Sequence, residues 1–84
     1  MERRVLMEKP TFQYIRQQAK TRQGKPVTPQ DIAKLAGLSL ADVYVIEIGG
    51  YSSEEKIGVV LRVFNALTGQ RLARDDIRAQ RGGQ

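Results

Sequence analysis

The sequence predicts an all-α domain, a compact bundle of four to five short helices. Three observations predict it. Helix-start chemistry recurs before each apolar stretch, glycine follows each stretch, and the apolar residues between fall at helical rather than alternating spacing. No internal repeat, low-complexity tract or hairpin signature competes with this reading.

The first helix, about 11–22, sets Phe12, Ile15 and Ala19 at i, i+3, i+7 and stops before Gly24. The second, 29–36, opens on Thr28-Pro29-Gln30-Asp31: a Thr N-cap, Pro at the first helical position and a carboxylate at the third. Ile32, Leu35 and Ala36 are expected to share its buried face, and Gly37 ends it. The third, 40–48, begins at Ser39 with Asp42 three residues on, is anchored by Val43 and Ile46, and ends at Gly49-Gly50. By composition the 43–48 run also suits a strand, but the Ser cap before it and the Gly pair after it favour helix. The fourth, 53–67, follows the Ser-x-x-Glu capping box of Ser52-Ser53-Glu54-Glu55 and carries the stripe Ile57, Val60, Leu61, Phe64 and Leu67 before Gly69. A fifth helical piece is expected at 74–80, where Leu72 and Ile77 cover the open end of the core. The organisation is thus a basic arm at 1–10, one domain at 11–80 and a fraying tail at 81–84.

Composition narrows the chemistry. Eighty-four residues allow one small domain. The chain has neither cysteine nor histidine, which excludes disulfides, Cys/His zinc sites, thiol nucleophiles and histidine bases. The adjacent carboxylates Glu54-Glu55 and Asp75-Asp76 point about 100° apart on a helix and do not converge, so each pair is expected to mark a helix start. Neither glycine pair has the phosphate-loop pattern. The expectation is a protein that is not an enzyme, with no cofactor, no metal and no small-molecule substrate. No apolar run approaches a membrane span and the start does not read as a signal peptide, so a cytoplasmic, nucleoid-associated protein is expected.

The charge is uneven. The formal charge is +5, and all of it lies in residues 1–25; residues 26–84 sum to zero. A basic arm on a neutral body suits a polyanion, whose counterions are released on binding. A solubilising tail is the plainer alternative. Arg16, Lys20, Arg22 and Lys25 are the candidates to grip phosphates, assisted by Lys34 and Lys56; for any one of them alone, a solvated surface charge is the simpler role.

The span 29–48 has the spacing of a helix-turn-helix, and each position has a mechanical reason. Ala33 sits where two helices cross closely. Gly37 supplies the left-handed backbone of the tight turn. Leu38 buries the turn, Ser39 caps the next helix, and Val43 with Ile46 holds that helix to the core. The residues Thr28-x-x-Asp31-Ile32-Ala33-x-x-Ala36-Gly37-Leu38-Ser39-x-x-x-Val43-x-x-Ile46-Glu47-x-Gly49 resemble the XRE family, the lambda-repressor/Cro-like helix-turn-helix domains. The resemblance covers roughly residues 10–69, and the stretch from Asn65 to Ile77 is similar to a tail on some bacterial members. It implies a lambda-repressor-like bundle that binds duplex DNA as a small transcriptional regulator, usually as a dimer on a two-fold site. By position it implies that Ser39, Leu40, Ala41, Tyr44 and Val45 face bases or nearby phosphates. Thr28 and Gln30 would lie near the backbone, and Glu47 would tie the recognition helix to its neighbours. The fourth helix and the segment holding Leu72 and Ile77 are the candidate dimer surface.

The sequence departs from the family in two places. Pro29 stands where members often carry a phosphate-contacting Gln. The outward face of the third helix, Ala41, Tyr44, Val45 and Ile48 at i, i+3, i+4, i+7, has one phenol and no Arg, Lys, Asn or Gln. Bidentate pairing with guanine or adenine is closed to it. Three readings stay open. Ala41 and Val45 pack on thymine methyls while Tyr44 touches phosphate, or the face docks a protein partner, or the arm or tail folds over the stripe.

Overall fold

Two side-chain hydroxyls and one glycine fix the centre of the molecule. In a computed structural model that describes residues 9–78 and 80–81, Thr28 Oγ1 accepts the Asp31 N–H at 3.1 Å and opens α2 (Pro29–Ala36). Ser39 Oγ accepts the Asp42 N–H at 3.1 Å and opens α3 (Leu40–Glu47). Between them Gly37 takes φ +71°, and its N–H and that of Leu38 return to carbonyls of α2. A residue with a Cβ enters that backbone region only at a cost, so glycine makes the three-residue turn.

The remaining elements are α1 (Phe12–Gln17), β1 (Tyr51–Ser52), α4 (Glu54–Thr68), a single 3₁₀ turn at Arg74–Asp76, and β2 (Gln80–Arg81). The molecule is a small, mostly helical globule. Its core is Phe12, Ile32, Ala33, Val43, Ile46, Ile57, Val60, Leu61, Phe64 and Ile77, with Ala19 and Val27 delivered from the loop after α1. Phe12 meets Phe64 edge-on, ring centroids 5.2 Å apart at 78°, a geometry worth about 0.5–1.5 kcal/mol beyond area burial.

Several expectations change. The first helix ends at Gln17, not near residue 22. Thr21 Oγ1 accepts from the N–H groups of Gln23 and Lys25, and the Thr21 N–H donates to the Lys25 carbonyl at 2.7 Å. A hydroxyl that captures nearby N–H groups competes with the helix, and Pro26 has no N–H to continue one. Residues 20 and 26 instead meet in an isolated antiparallel bridge, so Gly24, at φ +83°, serves a turn rather than a helix end. Leu35 is not core: it is 60 % exposed, and α2 buries Ile32 and Ala33 instead. Ser53, not Ser52, caps α4 by accepting the Lys56 N–H at 3.1 Å. The Ser52–Glu55 capping box therefore does not form, and Ser52 is buried in β1.

Where a fifth helix was expected over 74–80, the described residues form the 3₁₀ turn and an extended Ile77 instead. Leu72 and Ile77 are five apart, a spacing that cannot share a helix face. Asp76 accepts the Ala73 N–H and closes the short turn. Ile77 then enters the core at 1 % exposure in extended backbone, and the Arg78 N–H donates to the Pro10 carbonyl at 2.9 Å. Beyond it β2 pairs in parallel with β1, Tyr51 opposite Gln80 and Ser52 opposite Arg81. So the described fold is not purely α, and Arg81, assigned to the frayed tail, lies in a strand. Residues 1–8 of the basic arm and 82–84 of the tail lie outside the described residues. Ile77 lies inside the core and Leu72 is half-buried against it.

Candidate nucleic-acid interface

α3 is built to be held on one side and open on the other. Val43, Ile46 and Glu47 point inward with essentially no exposure, whereas Ala41 is exposed and Tyr44, Val45 and Ile48 are 44 %, 36 % and 65 % exposed. The helix pitch sorts the two sets, since residues at i, i+3, i+4 and i+7 share a face. Among the described residues nothing folds over that outer face enough to bury it. Leu40, at the first turn, packs partly against the core.

The inward side is fastened by an ion pair. The Arg16 guanidinium, from α1, donates from Nε and Nη2 to the two carboxylate oxygens of Glu47 and from Nη1 to the Val27 carbonyl at 2.8 Å. The side chains are 11 % and 0 % exposed. One guanidinium therefore ties α1, the loop before α2, and α3 together. Glu47 has the tying role that the family resemblance implies for it. Arg16 does not lie on the surface: the expected phosphate grip is replaced by this pair, because a carboxylate with no access to water demands a charged partner.

A second pair fastens the start of α3 to α4. Lys56 Nζ donates to Asp42 Oδ1 at 3.1 Å. That hydrogen bond, then the one from Ser39, holds the Asp42 carboxyl below the usual carboxylate range. Lys56 thus answers a neighbouring carboxylate and adds little to any anion site.

The other candidate residues divide. Arg22 Nε donates to the Ala66 carbonyl at 3.3 Å, and its N–H to the Leu67 carbonyl at 3.0 Å. It sits over the carboxyl end of α4, where a cation complements the helix dipole. The opposite end of this fifteen-residue helix lies against α3 through Lys56. Lys20 and Lys25 are exposed on the turn between α1 and α2, and Lys34 is exposed on α2; no side-chain ion pair engages them among the described residues. Gln30 is exposed beside the cap residue Thr28, which is half-buried, and Ser39 is exposed at the start of α3.

Sequence reasoning missed two further exposed apolar side chains. Tyr51, 69 % exposed, comes three residues after Ile48, and Leu35 is exposed on α2. A two-residue strand alternates its side chains, and burial of Ser52 turns Tyr51 out; without the pairing to β2 no signal marks it. Gly50 backs the face: a Cβ there would lie 3.1 Å from Val45 Cγ1 and 3.3 Å from the Val45 carbonyl oxygen. Among the described residues, no group of three or more acidic side chains gathers to hold a metal ion, and no helix is long and apolar enough to cross a membrane. A shallow open groove lined by Lys9, Pro10, Thr11, Tyr14 and Arg78 lies where the two ends of the described chain meet.

Comparison with family models gives no match, and none is found among curated proteins or among solved structures.

Proposed function

We propose that this chain binds duplex DNA as a small transcriptional regulator of the lambda-repressor/Cro-like kind, with α2 and α3 as its helix-turn-helix and α3 in the major groove. One observation carries the reading. α3 is fixed to the bundle through Val43, Ile46 and Glu47, while Ala41, Tyr44 and Val45 stand open on the opposite face. A short helix held in this way is a rigid probe of about the right width for the groove. Thr28, Gln30 and Ser39 at the two helix starts, with Lys20 and Lys25, meet the phosphate backbone. Leu40 lines the entry of α3. A homodimer would double this modest footprint.

A second reading rests on Ile48 and Tyr51, which are more exposed than Val45 and extend the apolar surface past the groove-facing half of α3. They suit a protein partner on the same helix. A titration against random duplex DNA at two salt concentrations separates the two. The DNA reading expects binding that weakens with salt, with a slope that falls by about one for each of Lys20→Gln and Lys25→Gln. No binding even at low salt overturns it and leaves the protein-docking reading.

A further inference from the structure

We propose that α3 reads the C5-methyl groups of pyrimidines, so that thymine and 5-methylcytosine are its targets while cytosine and uracil are not. The inference rests on the DNA reading above and adds what the helix selects. Along its open face Ala41, Val45 and Ile48 offer only carbon, and Tyr44 offers one hydroxyl. The floor of the major groove presents ring and carbonyl acceptors, amino donors, and one apolar feature, the pyrimidine C5-methyl. An apolar side chain pressed on a donor or acceptor leaves that group without a partner, which is unfavourable; pressed on a methyl group it buries carbon against carbon. The sign of the contact at each step therefore follows the methyl.

Two structural points support this occupant over a protein. The Gly50 N–H donates to the Val45 carbonyl at 2.9 Å, so the Val45 side chain stands on a stretch of main chain held in place at the end of α3. The surface charge also favours a polyanion. Along the turn before α2 and on α2 itself, the exposed cations Lys20, Lys25 and Lys34, which make no side-chain hydrogen bond or ion pair with the described residues, outnumber the anion Asp31. This excess carries the affinity for the phosphates, and the carbon face is left to discriminate.

The test compares a duplex of alternating A·T pairs with the same duplex carrying deoxyuridine, which differs by the methyl group. A G·C duplex with and without 5-methylcytosine serves as a second pair. Binding is expected to be about fourfold tighter for each methyl buried, in both pairs. Val45→Ala, and separately Ala41→Ser, are expected to bring the ratio towards one while circular dichroism shows the fold retained. Equal binding of methylated and unmethylated duplexes overturns the methyl reading and leaves DNA binding standing. A methyl preference untouched by both substitutions overturns the assignment to α3. Failure to bind any of the four duplexes at low salt overturns the DNA reading itself.

Discussion

Replacing Arg16 by methionine tests the internal fastening of α3 directly. The substitution keeps most of the stem and removes the guanidinium, leaving the Glu47 carboxylate at 0 % exposure without its cation and the Val27 carbonyl without its donor. Breaking one side of a buried pair in this way costs about 3–5 kcal/mol. A chain of this length has a total stability of about 4–13 kcal/mol, so much of it would be lost, and the melting temperature is expected to fall by at least about 12 °C. Urea unfolding followed by far-ultraviolet circular dichroism measures the change. The double variant Arg16→Met/Glu47→Leu is expected to recover most of it, because two apolar side chains in that volume leave no charge to solvate. Loss of under about 1 kcal/mol in the single variant would refute the reasoning. So would a double variant whose loss equals the sum of the two singles, since residues in direct contact are expected to couple.

Three further outcomes follow from the same geometry. Gly37→Ala meets nothing within 4 Å and pays only for its φ of +71°, about 1–2 kcal/mol, whereas Gly49→Ala adds contacts of 3.3 Å with the Arg78 side chain and carbonyl; urea midpoints should rank Gly49→Ala as the more damaging. Asn65→Ala removes two 2.9 Å hydrogen bonds, from the Leu72 N–H to Oδ1 and from Nδ2 to the Leu72 carbonyl; a loss of about 1–3 kcal/mol, with faster amide exchange at Ile77, is expected. The Asp42 carboxyl is held low chiefly by the hydrogen bond from Lys56, so the pair's stabilisation is present above the ordinary carboxylate value of about 3.9 and is lost as pH falls through the lower folded value. Asp42→Asn should flatten that acid limb, as read by urea midpoints from pH 7 to pH 2.

The parts of the fold that were legible in the sequence are those decided by one or two neighbouring residues. Thr28, Gly37, Ser39 and Gly69 set the ends of helices through their own side chain or backbone, and the boundaries of α2 match the reading. Ile32 and the close crossing at Ala33 were read from spacing, but Leu35, read as core on the same face, is exposed. The course of the described residues after α4 depends on partners elsewhere in the chain: Asn65 for Leu72, Pro10 for Arg78 and β1 for β2. No local pattern encodes such pairings. The same limit applies at the candidate site. The open face of α3 follows from spacing alone, but the partners of Arg16 and Arg22 could be named only from the positions of Glu47 and the end of α4.

The hydrogen bond between Pro10 and Arg78 makes the backbone almost a closed ring. Pro10 and Arg78 lie side by side, so a brief peptide joining the chain at these two positions would add little strain. Fresh termini cut at the exposed Gly24 turn would then part Lys20 from Lys25 and leave the run from α2 to α4 as one unbroken piece.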